Sequence, residues 1–112
     1  MKAMQVSESQ MQREIFNVLG VNRRAYPFLQ WIYAESNGSD NELLCCPFPS
    51  FQNMGVSHGA YIELKAGKNE PTAEQMEFLQ FVNANGYSTA VVYSADDALD
   101  FIENYCGIKL MR

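Results

Sequence analysis

The chain has 112 residues, 47% of them apolar and 12% aromatic, and a formal net charge of −5. That length suits one domain around one core, spanning residues 1–112. The composition argues against a disordered chain, and every apolar run is too short to cross a bilayer.

The acidic balance weighs against a general phosphate binder, whose surface is usually basic. It leaves a nuclease open, because acid gathered around metal ions need not repel DNA. The opening residues MKAMQVSESQ contain no apolar signal-peptide core, so a cytoplasmic protein is the expectation.

In chain order, Ser7 with Gln10 forms a capping-box pattern, opening a helix that runs to about Leu19 with Gly20 as its stop. YPFLQWIYAE is rich in aromatic and branched residues and reads as a strand ending at the Asn37-Gly38 turn signal. A polar loop precedes a short apolar strand, ELLCCPF. HGAYIELKAG is a third strand, alternating Ala60, Ile62 and Leu64 against Tyr61, Glu63 and Lys65. Pro71 and Thr72 start a second helix, stopped at Gly86. STAVVYS is a continuous apolar strand, expected to be buried on both faces. Ser94 with Asp97 caps a last helix ending at Gly107. This order predicts an α/β fold with an αβββαβ core, a mixed sheet flanked by helices and an extra C-terminal helix.

Cys45, Cys46 and Cys106 are an odd set with one adjacent pair, a poor disulfide framework. With His58 the only histidine and no CxxC pair, structural zinc is not expected. All three cysteines read as small buried apolar residues in a reducing compartment.

Three elements aim polar groups toward apolar surroundings. On the first helix Glu8 and Gln12 share a stripe with Ile15 and Leu19, although a first-turn acid also suits the helix dipole. On the third strand Glu63 and Lys65 share a face with Tyr61, although a surface ion pair would explain them too. On the second helix Gln75 shares a stripe with Leu79 and Val82, although it is also the third residue of a capping box begun by Thr72. Convergence of these elements would make one polar pocket. Asp40 and Glu42, just before the apolar LLCCPF run, are the candidate second acid. Carboxylates from two adjacent strands plus a backbone carbonyl suit Mg²⁺ or Mn²⁺. A neighbouring lysine would orient water and offset charge on a phosphate.

An acid on one strand followed by ExK on the next resembles the PD-(D/E)xK nuclease superfamily. SESQMQREIFNVLG, with its E-x-x-x-Q pattern, is similar to the first helix of the virus-type replication-repair nucleases, the VRR-NUC family. HG before the strand, ELK, the PTAEQ helix start and the GYSTAVVYSADDALDFI ending look like the rest of that domain. The likeness covers about residues 7–107. It departs before the second strand, where the family's G-x-P-D-L is replaced by GSDNELLCCP.

The resemblance implies a restriction-endonuclease-like fold and a Mg²⁺- or Mn²⁺-dependent DNA endonuclease. Branched or flapped DNA, such as junctions and repair intermediates, is the implied substrate, cut by a homodimer in a bacterial or phage-infected cell. Carried onto this chain, Glu63 and Glu42 (with Asp40 as the other choice) hold the metal, and Leu64 adds its carbonyl oxygen. Lys65 is the catalytic amine, Glu8 serves a second metal or a metal-bound water, and Gln75 bonds the lysine or the phosphate. Gln12 matches the polar pair of the first helix, and Arg13, Arg23, Arg24 and Lys68 are candidate phosphate contacts. Three alternatives remain: a structured-DNA binder with weak or lost cleavage, a non-catalytic interaction module of a replication or repair complex, and an RNA substrate.

Overall fold

A computed structural model of the protein describes residues 7–29, 32–34, 43–46 and 57–112. The elements run α1 (Glu8–Asn22), β1 (Ile32–Ala34), β2 (Leu43–Cys46), β3 (Ala60–Leu64), α2 (Ala73–Ala84), β4 (Ser88–Val92) and α3 (Ala95–Cys106). The expected α/β element order is present. The strands form one sheet in the order β1-β2-β3-β4, antiparallel except for the parallel β3–β4 pair. A parallel pair needs a crossover, and α2 supplies it.

Alternation along β3 divides the molecule. Ala60, Ile62 and Leu64 are fully buried and join Met11, Ile15 and Leu19 of α1 and Ala98, Leu99 and Ile102 of α3 in one core. Leu44 and Cys46 of β2 and Val92 of β4 complete it. The other face of β3 belongs to α2. The Tyr61 ring meets Phe78 of α2 edge-on, with centroids 5.3 Å apart, and Lys65 reaches Gln75 of α2. A helix therefore lies on each side of the central strand, and α2 packs on β4 while α1 packs on β3 and α3.

Local chemistry sets the helix ends. Ser7 and Gln10 form the reciprocal capping box, Ser7 Oγ accepting from Gln10 N–H at 3.1 Å and Gln10 Oε1 from Ser7 N–H at 2.9 Å. Gly86 and Gly107 have φ of 93° and 70°, left-handed values that terminate α2 and α3. A Cβ on Gly86 would also collide with the His58 ring.

Several expectations are corrected. The first helix does not stop at Gly20 but continues to Asn22. Asn22 is buried, and its Nδ2 donates to Val18 O at 2.8 Å and Met111 O at 2.7 Å, while its Oδ1 accepts from Met111 N–H at 2.7 Å. These bonds to the C-terminal segment hold the extra turn. The start of the expected first strand is instead a turn, with Tyr26 N–H bonded to Asn22 O and Leu29 N–H to Tyr26 O. Tyr26, Phe28 and Leu29 pack against the core. β4 is half-buried rather than buried on both faces, because it lies at the edge of the described sheet. Cys46 and Cys106 are buried, but Cys45 is only half-buried, on the α2 side beside Tyr61. The buried line of α1 is Met11, Ile15, Leu19 and Asn22, so Glu8 and Gln12 lie at its margin.

Removing Asn22's three bonds tests the α1 anchor. Asn22→Ala should cost about 2 kcal/mol, at roughly 1 kcal/mol per bond less partial rehydration. A lower urea midpoint with an unchanged slope is the expected result. An unchanged midpoint would show that the C-terminal segment does not hold the helix.

Candidate active site

The end of β3 is where the layers meet. Lys65 follows the last strand residue, and its backbone N–H still donates to Val92 O at 2.9 Å, which holds it in the ladder. The side chain is almost completely enclosed, with the residue only 5% exposed. An enclosed ammonium requires acceptors, and two elements provide them. Lys65 Nζ lies 3.8 Å from Glu8 Oε1 in the first turn of α1 and donates to Gln75 Oε1 of α2 at 3.3 Å. The central strand, the helix that follows it and the distant α1 thus converge on one charge.

Glu63 lies on the same face, one alternation back. In register it stands between Leu43 of β2 and Val91 of β4, and it is 1% exposed. An enclosed carboxylate requires compensating partners to be tolerated in the fold. Leu64, by contrast, points its side chain into the core, so only its main-chain carbonyl could serve as a metal ligand. Asp40 and Glu42 lie outside the described residues.

Gln75 is also 1% exposed. Its carbonyl oxygen accepts twice, from Lys65 Nζ and from Thr72 N–H at 2.8 Å, while Thr72 Oγ1 accepts from Gln75 N–H at 3.2 Å. The capping-box reading and the site reading of Gln75 therefore describe one geometry. Two donors facing one oxygen fix the amide, because a flip would set its NH₂ group against both. Among the described residues no acceptor faces its buried Nε2. Thr72 is the residue whose part in the site sequence reasoning passed over, although its capping pattern was visible.

The α2 face below the site is aromatic. Burial, and then a hydrogen bond with Cys45, pushes the Tyr61 hydroxyl up to about 12. Burial likewise raises the Cys45 thiol. Neither group is set up as a nucleophile near neutral pH. The Tyr61 ring also meets Tyr87, with centroids 5.6 Å apart, forming a rigid floor.

The candidate phosphate contacts divide. Lys68 is exposed in the turn closed by Asn69 N–H to Ala66 O, three residues beyond Lys65. Gln12 and Arg13 line a shallow groove of about 380 Å³ on α1 with Ser9 and Phe16. Gln12 follows Glu8 by one turn, but the polar partners of the Lys65 ammonium are Glu8 and Gln75. Arg23 and Arg24 are at the far end of α1, roughly 20 Å from Glu8 at 1.5 Å per residue, and the Arg23 Nε–H bonds Leu29 O. The structure does not bring that pair to the site. Arg112 is held by Asp96, Asp100 and Glu103 of α3, its shortest contact 2.6 Å to Asp100.

Among the described residues no cluster of three or more His, Cys, Asp or Glu side chains gathers to hold a metal. The donors present are nevertheless hard oxygens: the enclosed Glu63 carboxylate, the Leu64 carbonyl and the partly open Glu8 carboxylate. Mg²⁺ commonly takes one or two carboxylates and keeps several waters. The donor set fits such an ion better than zinc or copper.

The enclosure of Lys65 is directly observable. In a proton–nitrogen spectrum of lysine side chains near neutral pH, its ammonium resonance should persist while those of Lys68 and Lys109 are lost to solvent exchange. Gln75→Ala should broaden it. A Lys65 resonance as exchange-broadened as that of Lys68 would contradict the buried contacts.

Comparison with protein-family models, with curated proteins and with solved structures finds no match to this chain.

Proposed function

We propose that the protein is a Mg²⁺- or Mn²⁺-dependent DNA endonuclease of the VRR-NUC kind, on a restriction-endonuclease-like core. Branched or flapped DNA is the proposed substrate, and a homodimer would present two such centres to two strands. The observation that carries this reading is the enclosed Lys65 ammonium held between Glu8 and Gln75, two residues from the enclosed Glu63. A scaffold residue would be more stable as an apolar side chain there, since buried ion pairs are weak stabilisers.

Glu63 and the Leu64 carbonyl would hold the ion, with Glu42 or Asp40 as second acid and Glu8 beside them. When bound, the ion would acidify water and neutralise phosphate charge. In the hydrolysis a water oxygen bonds to phosphorus, one ester P–O bond breaks and the leaving oxygen takes up a proton. As an ammonium donating to Gln75, Lys65 orients the attacking water and stabilises the added negative charge. The Gln75 carbonyl keeps that ammonium in place, and the Glu8 carboxylate balances it. Lys68, with Gln12 and Arg13 along α1, would contact flanking phosphates and make affinity fall with salt.

One sequence feature favours a second reading. GSDNELLCCP lacks the family's Pro-Asp, so the chain would be a structured-DNA binder that cuts weakly, or an interaction module.

A nicking assay on plasmid and four-way-junction DNA separates these readings. Cleavage should require Mg²⁺ or Mn²⁺, stop with EDTA and fall about 10²–10³-fold in Lys65→Ala. Binding without cutting would support the second reading, and neither binding nor cutting would support the interaction module. A matched RNA junction, if cut faster, would overturn the DNA assignment.

A further inference from the structure

We infer that Thr72 is a positioning residue for the Lys65 centre, acting through the capping box that starts α2; this deepens the nuclease reading and rests on it. Lys65 does not hydrogen-bond Thr72. It donates to an oxygen that Thr72 also grips, since Gln75 Oε1 receives Lys65 Nζ at 3.3 Å and Thr72 N–H at 2.8 Å. Thr72 Oγ1 closes the ring by accepting from Gln75 N–H at 3.2 Å. The helix continues from there through Met76 N–H to Thr72 O at 2.9 Å.

An ordinary capping box satisfies exposed helix-end donors with side chains that remain in water. The first helix shows that case: Gln10 is exposed and bonds only Ser7. At α2 the same motif is turned inward. Gln75 is 1% exposed and carries a third bond, to the Lys65 ammonium, and its buried NH₂ group has no acceptor among the described residues. The neighbours commit the carbonyl to two donors, and that fixes the direction of the amide. Thr72 itself is exposed, and its hydroxyl therefore acts on the site only through Gln75.

The test compares Thr72→Ala with Thr72→Ser and with Ser94→Ala, which removes the N-cap of α3, where Ser94 Oγ accepts from Asp97 N–H. Thr72→Ala should lower kcat roughly tenfold, less than the 10²-fold that outright misplacement of a catalytic group costs. KM should stay within about twofold, and Thr72→Ser should restore kcat. Ser94→Ala should lower the melting temperature without lowering kcat at a temperature where it is folded. Thr72→Ala should also broaden the Lys65 ammonium resonance, a readout that needs no substrate and stands whether or not the protein cuts DNA. Retained kcat in Thr72→Ala, equal kcat losses in Thr72→Ala and Ser94→Ala, or failure of serine to restore would overturn the inference. An unchanged Lys65 resonance would overturn it as well. If the wild type fails to cut but the resonance responds as expected, the nuclease reading fails and the positional coupling stands.

Discussion

The carbonyl oxygen of Gln75 is the point on which the arrangement depends. It is shared between the amine at the end of the central strand and the backbone N–H that begins the crossover helix. The strand supplies a charge that cannot be left unpaired inside the protein. The helix supplies an oxygen whose direction is already set by its own cap. The first turn of α1 adds the Glu8 carboxylate at 3.8 Å. If the carbonyl were turned away, Lys65 would retain one longer contact in a mostly enclosed space.

That constraint explains the two characters of β3. One face is wholly apolar and forms the centre of the core with α1 and α3. The other carries Tyr61, Glu63 and Lys65 beneath α2. A sheet covered on both faces is most stable with apolar residues on both. Here stability is given up on one face, and the loss is confined to the end of the strand where three layers meet. The aromatic floor of Tyr61, Phe78 and Tyr87 begins only a few residues away. Ligands in sheets of this kind commonly sit outside the carboxyl ends of parallel strands. Lys65 lies at that end of the parallel β3–β4 pair.

Much of this was legible in the sequence because it rests on local rules. The caps at Ser7, Thr72 and Ser94, the αL glycine at Gly107 and the alternation along β3 each follow from short-range sterics and hydrogen bonding. The polar residues out of place on three elements indicated one pocket, and Glu8, Lys65 and Gln75 do meet. What was missed depends on distant partners. Gly20 looked like a stop because the anchoring of Asn22 by Met111 spans most of the chain. STAVVYS looked doubly buried because periodicity does not reveal that the strand lies at the edge of the described sheet. Arg23 and Arg24 looked like site residues because their separation from Glu8 follows from the length and direction of α1. The capping and catalytic readings of Gln75 were set against each other because a linear pattern does not show a bifurcated acceptor. Asp40 and Glu42 lie outside the described residues.

Anomalous diffraction from crystals soaked in Mn²⁺ would locate the ion beside Glu63. One strong peak is expected within coordination distance of the Glu63 carboxylate, on the α2 side of β3 and close to Lys65, with Asp40 or Glu42 as a second ligand. Saturating Mn²⁺ with no peak at Glu63, or a peak only at surface carboxylates such as those of α3, would contradict the proposed metal site.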